Sequence, residues 1–121
     1  MDISQTIATL KKEPGFHEKV GMILTHNGVA RATSRDGRPV SHIEVIPDRA
    51  KIEAIRAECE RLPGVFQIVV EAHGGTFVPG DDLLFIVVAG DIRENVLAAL
   101  STTLNRIKSE AVAKRETLAA S

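Results

Sequence analysis

Three Pro-Gly pairs divide this chain and restrict where its helices and strands can run. They are Pro14-Gly15, Pro63-Gly64 and Pro79-Gly80. Proline interrupts a helix and glycine favours turns, so each pair predicts the end of a regular element. The secondary structure is therefore expected to stop at these points.

Two helices are predicted to end at the first two pairs. Ile3, Ile7 and Leu10 recur at helical spacing, which indicates a short amphipathic helix over residues 2–13. A second helix starts at Pro47-Asp48 and stops at Pro63-Gly64. The apolar residues of this second helix recur at intervals of three and four, which is typical of an amphipathic helix. These residues are Ile52, Ile55, Cys59 and Leu62.

The remaining apolar segments predict strands and a third helix. The strands are expected at 20–24, 29–33, 40–46, 65–70 and 83–88, with a hairpin around Asp36-Gly37 whose tip is basic. The last helix is expected from Asp91 to about Glu110, with a capping box formed by Asp91 and Glu94. Its apolar stripe comprises Val96, Leu100, Leu104, Ile107 and Ala111.

This order of elements indicates an α+β protein, with helices packed on one face of a mostly antiparallel sheet. At 121 residues the chain is expected to form a single domain, 1–121, with its core over 18–116. The core must be built from aliphatic residues because aromatics make up only 3% of the sequence.

Charge and composition exclude several classes of function. The formal net charge of -1 argues against a general nucleic-acid binder, since such affinity needs many phosphates to be neutralised. The longest apolar run, 83–89, is far shorter than the roughly 20 residues that span a bilayer. The amino terminus is charged where a signal peptide would be apolar, so we expect a cytoplasmic protein.

Few residues are candidates for catalysis. Cys59 is the one cysteine and lies on an apolar stripe, so it is interpreted as a buried structural residue. The four histidines have no paired spacing that would predict a metal site. No Gly-rich phosphate loop is present, so neither a metal nor a cofactor is expected.

Basic residues are the stronger candidates for a site. Arg93 is expected in the first turn of the last helix, where a cation opposes the helix dipole unless a bound anion compensates it. Arg31 follows a glycine, and Lys108 and Lys114 are expected at the end of the same helix. For each residue taken alone, an ordinary surface cation is the favoured interpretation, and for the lysines a favourable interaction with the helix dipole accounts for their position.

Taken together, these segments resemble the large, catalytic subunit of molybdopterin synthase over about residues 20–116. The Gly-x-Val-Arg motif of that family is matched by Gly28-Val29-Ala30-Arg31, and its Pro-Gly-Asp turn by Pro79-Gly80-Asp81. The arginine that opens its last helix is matched by Arg93. Its two lysine motifs are matched by Ile107-Lys108 and by Ala113-Lys114-Arg115-Glu116.

The resemblance implies an α/β hammerhead fold, a homodimer, and a ubiquitin-like small subunit that ends in Gly-Gly and carries a thiocarboxylate. It implies that sulfur passes from this carrier to a cyclic pyranopterin phosphate. Lys108 and Lys114 would be the catalytic lysines, and Arg31, Arg93 and Arg115 would bind the substrate. The partner supplies the sulfur, so the chain needs cations rather than a thiol.

Geometry favours a site shared between two copies. Arg93 and Lys108 lie 15 positions apart on one predicted helix, which corresponds to about 22 Å. An antiparallel pairing of this helix across a two-fold axis would bring Arg93 of one protomer towards Lys108 of the other.

The chain also departs from the family pattern. Ile92 stands where the family has a histidine, and Ala111-Val112-Ala113 replaces a Pro-aromatic-Trp sequence. The two lysines are one residue closer together, and the family's tail extends beyond the equivalent of Ser121. The alternative hypothesis is therefore a noncatalytic dimeric paralogue that binds a small anion or a protein C-terminal tail.

Overall fold

The computed structural model of the chain describes residues 1–119. Its helices are α1 (Ile3–Lys11), α2 (Phe16–Lys19), α3 (Arg49–Cys59) and α4 (Arg93–Arg106). Its strands are β1 (Met22–Val29), β2 (Val40–Pro47), β3 (Val65–Ala72), β4 (Gly75–Phe77), β5 (Asp82–Gly90) and β6 (Val112–Leu118). A π-helical turn, Ile107–Ala111, joins α4 to β6 and is called the π-segment below.

The strands form two three-stranded sheets, ordered β1-β5-β3 and β4-β2-β6. Every strand pair in them is antiparallel. The central strand β5 pairs Ile86 with His26 of β1 and with Val70 of β3. The predicted α+β class with antiparallel strands is confirmed.

The larger core lies between the first sheet and helices α3 and α4. Ile55 of α3, Ile86 and Val88 of β5, and Val96 of α4 are all at most 1% exposed. The predicted stripe on α3 is confirmed, since Ile52, Ile55 and Cys59 are buried in this cluster. Burying such side chains contributes roughly 1.5–3 kcal/mol each, which explains why the aliphatic residues set the position of both helices.

A smaller core joins the second sheet to the first. It consists of Ala30, Val40, Ile43 and Val45. Leu83 of β5 and Val112 of β6 pack against both cores. The two sheets are thereby fixed relative to each other, and the space between their ends forms the cavity described below.

The amino-terminal segment packs against β3. Helix α1 begins after Asp2, whose carboxylate accepts a hydrogen bond of 3.0 Å from the Gln5 amide, close to the predicted start. The Met1 ammonium lies 2.7 Å from Glu71 of β3. The short helix α2 was not predicted, and its Phe16 ring packs edge-on against Phe66 at 6.0 Å.

The predicted strand at 29–33 is wrong. The backbone of Ala30 bonds to the Pro79-Gly80 turn region instead, through Asp81 O and the Gly80 amide, both at 2.8 Å. Beyond it, Thr33 pairs with Pro39 only as an isolated bridge. Strand β1 is correspondingly longer than predicted, because it continues to Val29 along β5.

The helical run ends close to the predicted position, because α4 continues through the π-segment to Ala111, but the prediction that Lys114 lies at its end is wrong. The α-helix ends at Arg106, and Lys114 and Arg115 lie on a strand rather than at a helix end. The edge of β2 explains the difference, because β6 pairs with it from Val40↔Leu118 to Pro47↔Val112. Tertiary pairing here overrides the helical propensity of Ala113-Lys114-Arg115-Glu116.

The predicted capping box between Asp91 and Glu94 is wrong. Ile92 is the N-cap of α4 and makes no side-chain capping bond. The Asp91 carboxylate instead accepts from the Ile92 amide at 2.6 Å and from the Asn95 side chain at 2.9 Å. The predicted stripe of α4 is partly buried at Leu100 and Leu104 and fully buried at Val96, Ile107 and Ala111.

Over residues 1–119, no helix is both long enough and apolar enough to span a membrane.

Candidate anion-binding site

A cavity of ≈ 630 Å³ opens where the two sheets meet the loop 30–39, and it is called the basic cavity below. Its charged or titratable lining residues are Arg31, Arg35, Asp36, Arg38, His73, Lys108, Lys114 and Glu116. Its other lining residues are Gly28, Val29, Ser34, Val45, Ala72, Leu83, Leu84 and Val112. Five permanently basic side chains face two carboxylates, so the cavity is suited to an anionic ligand.

The π-segment presents Lys108 to the cavity. Ile107 and Ala111 at its two ends are 0% and 2% exposed, and they anchor the turn in the larger core. Lys108, between them, is exposed and lines the cavity. A π-helical turn widens the helix locally and often occurs at functional sites, because it redirects a side chain that a regular α-helix would place elsewhere.

Strand β6 directs Lys114 into the basic cavity, whereas Arg115 does not line it. Side chains alternate between the two faces of a strand, and both Lys114 and Glu116 line the cavity. Arg115, between them, therefore points to the opposite face, where its neighbour across the ladder is Glu44. Of the two basic residues in this motif, only Lys114 reaches the cavity.

The loop after β1 contributes Arg31, Arg35 and Arg38. Ser34, 8% exposed, holds this loop closed, because its hydroxyl accepts from the Arg38 amide at 3.1 Å and donates to the Asp36 carboxylate. Asp36 also pairs with the Arg38 guanidinium at 2.7 Å. These hydrogen bonds, first from Ser34 and then from Arg38, lower the pKa of Asp36.

Sequence reasoning did not assign Arg35 and Arg38 to the site. The sequence did contain a relevant feature, because both arginines belong to the hairpin tip that was predicted to be basic. The turn sequence does not reveal that these two arginines line the same cavity as Gly28 and Val29 at the end of β1.

His73 adds a further cationic group to the rim of the cavity. Its Nδ1 lies 2.9 Å from the carbonyl oxygen of Asp82, and its Nε2 lies 2.8 Å from the Glu71 carboxylate. Both neighbours are acceptors, so this geometry favours the charged imidazolium, in which both ring nitrogens donate. Hydrogen bonding to Glu71, followed by that to Asp82, accordingly raises the pKa of His73.

His26 lies behind the cavity wall on β1. Burial, and secondarily the positive charge of Lys108, lower the pKa of this histidine. His26 is therefore neutral at neutral pH, in contrast to His73.

Arg93 lies outside the basic cavity of its own chain. It is the first residue of α4, its side chain is 78% exposed, and its nearest acidic partner is Glu94 at 3.7 Å. Lys108 follows the far end of the same helix. The cavity of one chain thus brings together Arg31, Lys108 and Lys114 but neither Arg93 nor Arg115.

Comparison with known protein families identifies the group to which the chain belongs. The family described as MoaE protein matches residues 1–110. The chain belongs to the MoaE family. This confirms the resemblance to molybdopterin synthase large subunits and assigns the chain to molybdenum cofactor biosynthesis.

Solved structures share the MoaE fold. The MoaE protein of Burkholderia multivorans superposes with a TM-score of 0.74 at 21% identity, over 100% of this chain and 86% of that one. Molybdopterin synthase from Staphylococcus aureus gives a TM-score of 0.72 at 19% identity, over 84% and 77% of the respective chains. No curated protein matches the sequence.

A third structure is the complex of subunits 1 and 2 of the molybdopterin-converting factor from Helicobacter pylori. Its matching chain gives a TM-score of 0.69 at 15% identity, over 98% of this chain and 80% of that one. These likenesses describe the fold that the MoaE family shares.

The MoaE-family chain described here offers no thiol at this cavity. Cys59 is 2% exposed and packs in the larger core, as the sequence predicted. Within residues 1–119, no three His, Cys, Asp or Glu side chains come close enough together to hold a metal ion. The chemistry available at the cavity is that of arginine, lysine and imidazolium cations.

Proposed function

We propose that this chain is the large subunit of a molybdopterin synthase and transfers sulfur from a thiocarboxylated carrier to a cyclic pyranopterin phosphate. The single observation that supports this most strongly is the meeting of Arg31, Lys108 and Lys114 in one cavity. Arg31 lies in the loop after β1, whereas Lys108 and Lys114 lie on the π-segment and on β6, which follow one another near the other end of the chain. The fold therefore brings Arg31 to the two lysines across more than seventy residues of sequence.

The size and charge of the cavity suit a phosphate-bearing heterocycle. Ligand cavities usually measure about 300–1,000 Å³, and ≈ 630 Å³ lies within this range. We assign Arg31 to the phosphate, since a guanidinium can donate two parallel hydrogen bonds to it. The apolar lining from Leu83, Leu84 and Val112 offers a surface for the pterin ring.

Lys108 and Lys114 are the proposed catalytic residues. When the sulfur of a thiocarboxylate bonds to a carbon of the precursor, a carbon–oxygen bond of the precursor breaks and its oxygen takes the electron pair, so negative charge develops at the reacting centre. Two ammonium groups held at the cavity wall would stabilise that charge. Water then cleaves the thioester, which leaves the sulfur on the precursor and releases the carrier as a carboxylate. The carrier brings the sulfur, so the burial of Cys59 is compatible with the reaction.

The departures from the family pattern lie mostly away from the cavity. Ile92 is 54% exposed at the start of α4, and Ala113 faces away from the cavity because Val112 and Lys114 line it. Of the residues that differ, only Val112 lies in the lining. Within one chain the lining therefore keeps Arg31, Lys108 and Lys114, which supports a working site, whereas Ile92 adjoins Arg93 at the start of α4.

We also infer a homodimer in which Arg93 completes the partner's site. Arg93 and Leu97 are four residues apart and therefore share one face of α4. Leu97 is 49% exposed, and the adjacent Ile92 is 54% exposed. Exposed apolar side chains beside an exposed arginine support the pairing of two α4 helices across a two-fold axis.

The proposed partner is a small ubiquitin-like protein that ends in Gly-Gly. The two-subunit complex from Helicobacter pylori, whose matching chain shares this fold, supports such an assembly. We further infer that the chain acts as one domain in the cytoplasm.

Reconstitution tests the proposal. The chain would be mixed with a thiocarboxylated carrier from the same genome and with cyclic pyranopterin phosphate, and dithiolene product would be measured. We expect slow but measurable product. If the carrier binds and no product forms, the noncatalytic alternative replaces the synthase.

A further inference from the structure

The Nε2 atom of His26 is buried without a hydrogen-bond partner. Within the part of the chain that the structure describes, it is the one buried side-chain nitrogen or oxygen in this condition. Leaving such an atom unpaired destabilises a protein, so native structures usually provide a partner. An unpaired atom next to a functional cavity therefore needs a physical explanation.

The position of His26 connects it with the basic cavity. Residues 26 and 28 project from the same face of β1, and Gly28 lines the cavity. A Cβ atom at Gly28 would lie only 3.0 Å from His26 Nε2. The bare backbone of Gly28 thus makes room for the imidazole directly behind the cavity wall.

Lys108 is the group that can supply the missing donor. It lines the same cavity, and its positive charge, after burial, contributes to lowering the pKa of His26. A neutral imidazole protonated at Nδ1 has a free acceptor at Nε2, and an ammonium carries three donors. The flexible four-carbon stem of lysine can bring one of these donors to the imidazole.

We propose that His26 positions the Lys108 ammonium in the cavity by accepting a hydrogen bond from it at Nε2. His26 is then a positioning residue that acts through Lys108 and does not touch the ligand. The bond removes rotameric freedom from a long side chain before the anion binds. The proposal rests on the proposed function only in treating Lys108 as a residue of the working site.

The first test measures the pKa of His26 by NMR, with its ring signals assigned by their loss in His26→Gln. Replacing Lys108 with methionine removes the neighbouring positive charge, so the pKa of His26 is expected to rise. Lys114→Met is the matched control, because it removes one positive charge from the same cavity on a different element, β6. An unchanged pKa in Lys108→Met, or an equal rise in both variants, would overturn the proposal.

The second test is a double-mutant cycle with inorganic phosphate as the probe. His26→Phe removes the acceptor and is expected to weaken phosphate binding on the order of fivefold, whereas His26→Gln keeps an acceptor and most of the affinity. In the Lys108→Met background, His26→Phe should have no further effect, since the two residues act as one unit. Multiplicative losses, or equal losses in the Phe and Gln variants, would contradict the positioning role.

These readouts separate the inference from the proposed function. Coupling between His26 and Lys108 without any dithiolene product would leave the inference standing and disprove synthase activity. Normal product formation with no coupling in either test would disprove the inference alone.

Discussion

The Nε2 atom of His73 lies 2.8 Å from the Glu71 carboxylate at the rim of the basic cavity. The opposite ring nitrogen faces the carbonyl oxygen of Asp82 at 2.9 Å. Two acceptors on one imidazole stabilise its charged form. This relationship favours a positive charge at the rim of the cavity that the sequence did not indicate, and it links the protonation of His73 to the stability of the fold.

The pH dependence of stability should report this charge. The folded-state pKa of His73 is raised above its unfolded value, so its stabilising contribution is fully present below about pH 6.5 and is lost as pH rises through the folded-state value. We expect His73→Gln, which does not titrate, to remove this part of the pH dependence. Urea unfolding of both proteins between about pH 5.5 and 8.5 checks the prediction, and superimposable pH profiles would refute it.

His26 should produce the opposite slope. Its pKa is lowered in the fold, so protonation opposes folding and stability falls as pH drops below about 6.5. His26→Gln should therefore lose less stability in acid than the wild type. The same urea unfolding series tests this prediction. A free energy of unfolding that falls more steeply with decreasing pH in the variant than in the wild type would contradict it.

Ligand binding should distinguish residues inside the basic cavity from those outside it. Arg31→Ala and Lys108→Ala are each expected to weaken binding of the pterin phosphate by roughly 1.5–3 kcal/mol, the range for hydrogen bonds to charged groups. Arg115→Ala is the matched control, since this side chain lies on the other face of β6, and its effect should stay within about 0.5 kcal/mol. Calorimetric titration measures all three. Equal affinities throughout would make these residues ordinary surface cations.

Complementation tests the shared site. If Arg93 serves the partner's cavity, Arg93→Ala and Lys108→Ala homodimers are each impaired at both sites. Mixing and reassembling the two variants creates heterodimers with one intact site, so about a quarter of all sites should recover. Activity of the mixture equal to the average of the two variants would place Arg93 outside the site.

Sedimentation at micromolar concentration should show a dimer of the wild-type chain, and Leu97→Glu should dissociate this dimer.

The core prediction concerns folding alone. Ile86 on the central strand is 0% exposed, so Ile86→Ala should destabilise the protein by about 2–5 kcal/mol. Ile46, 69% exposed on β2, is the matched control, and its replacement should change stability by less than about 0.5 kcal/mol. Denaturant unfolding compares the two, and similar losses would contradict the description of the core.

Local patterns predicted the parts of the fold that depend on local chemistry. The stripe of Ile52, Ile55 and Cys59 was correct because helical periodicity reflects burial directly. The strand at Lys114 was missed because its only cause is the edge of β2, more than sixty residues earlier in the chain. Ala30 was misassigned for the same reason, since its partners belong to the turn before β5.

The site was predicted to the extent that family motifs encode it. Arg31, Lys108 and Lys114 were singled out from the sequence, and the structure brings all three together. His73 and His26 were not, because nothing in the sequence reveals that one imidazole faces two acceptors and the other none. Arg115 was grouped with Lys114, and only the alternation of a strand separates them.

Sulfur transfer by Lys114→Ala and Arg115→Ala is the most direct test of the proposed synthase. These neighbouring residues lie on opposite faces of β6, so the comparison isolates the cavity from the strand that carries it. With thiocarboxylated carrier and cyclic pyranopterin phosphate, we predict dithiolene product from the wild type and from Arg115→Ala, and its loss in Lys114→Ala. Absence of product from a wild-type chain that binds the carrier, or equal product from both variants, would contradict the account.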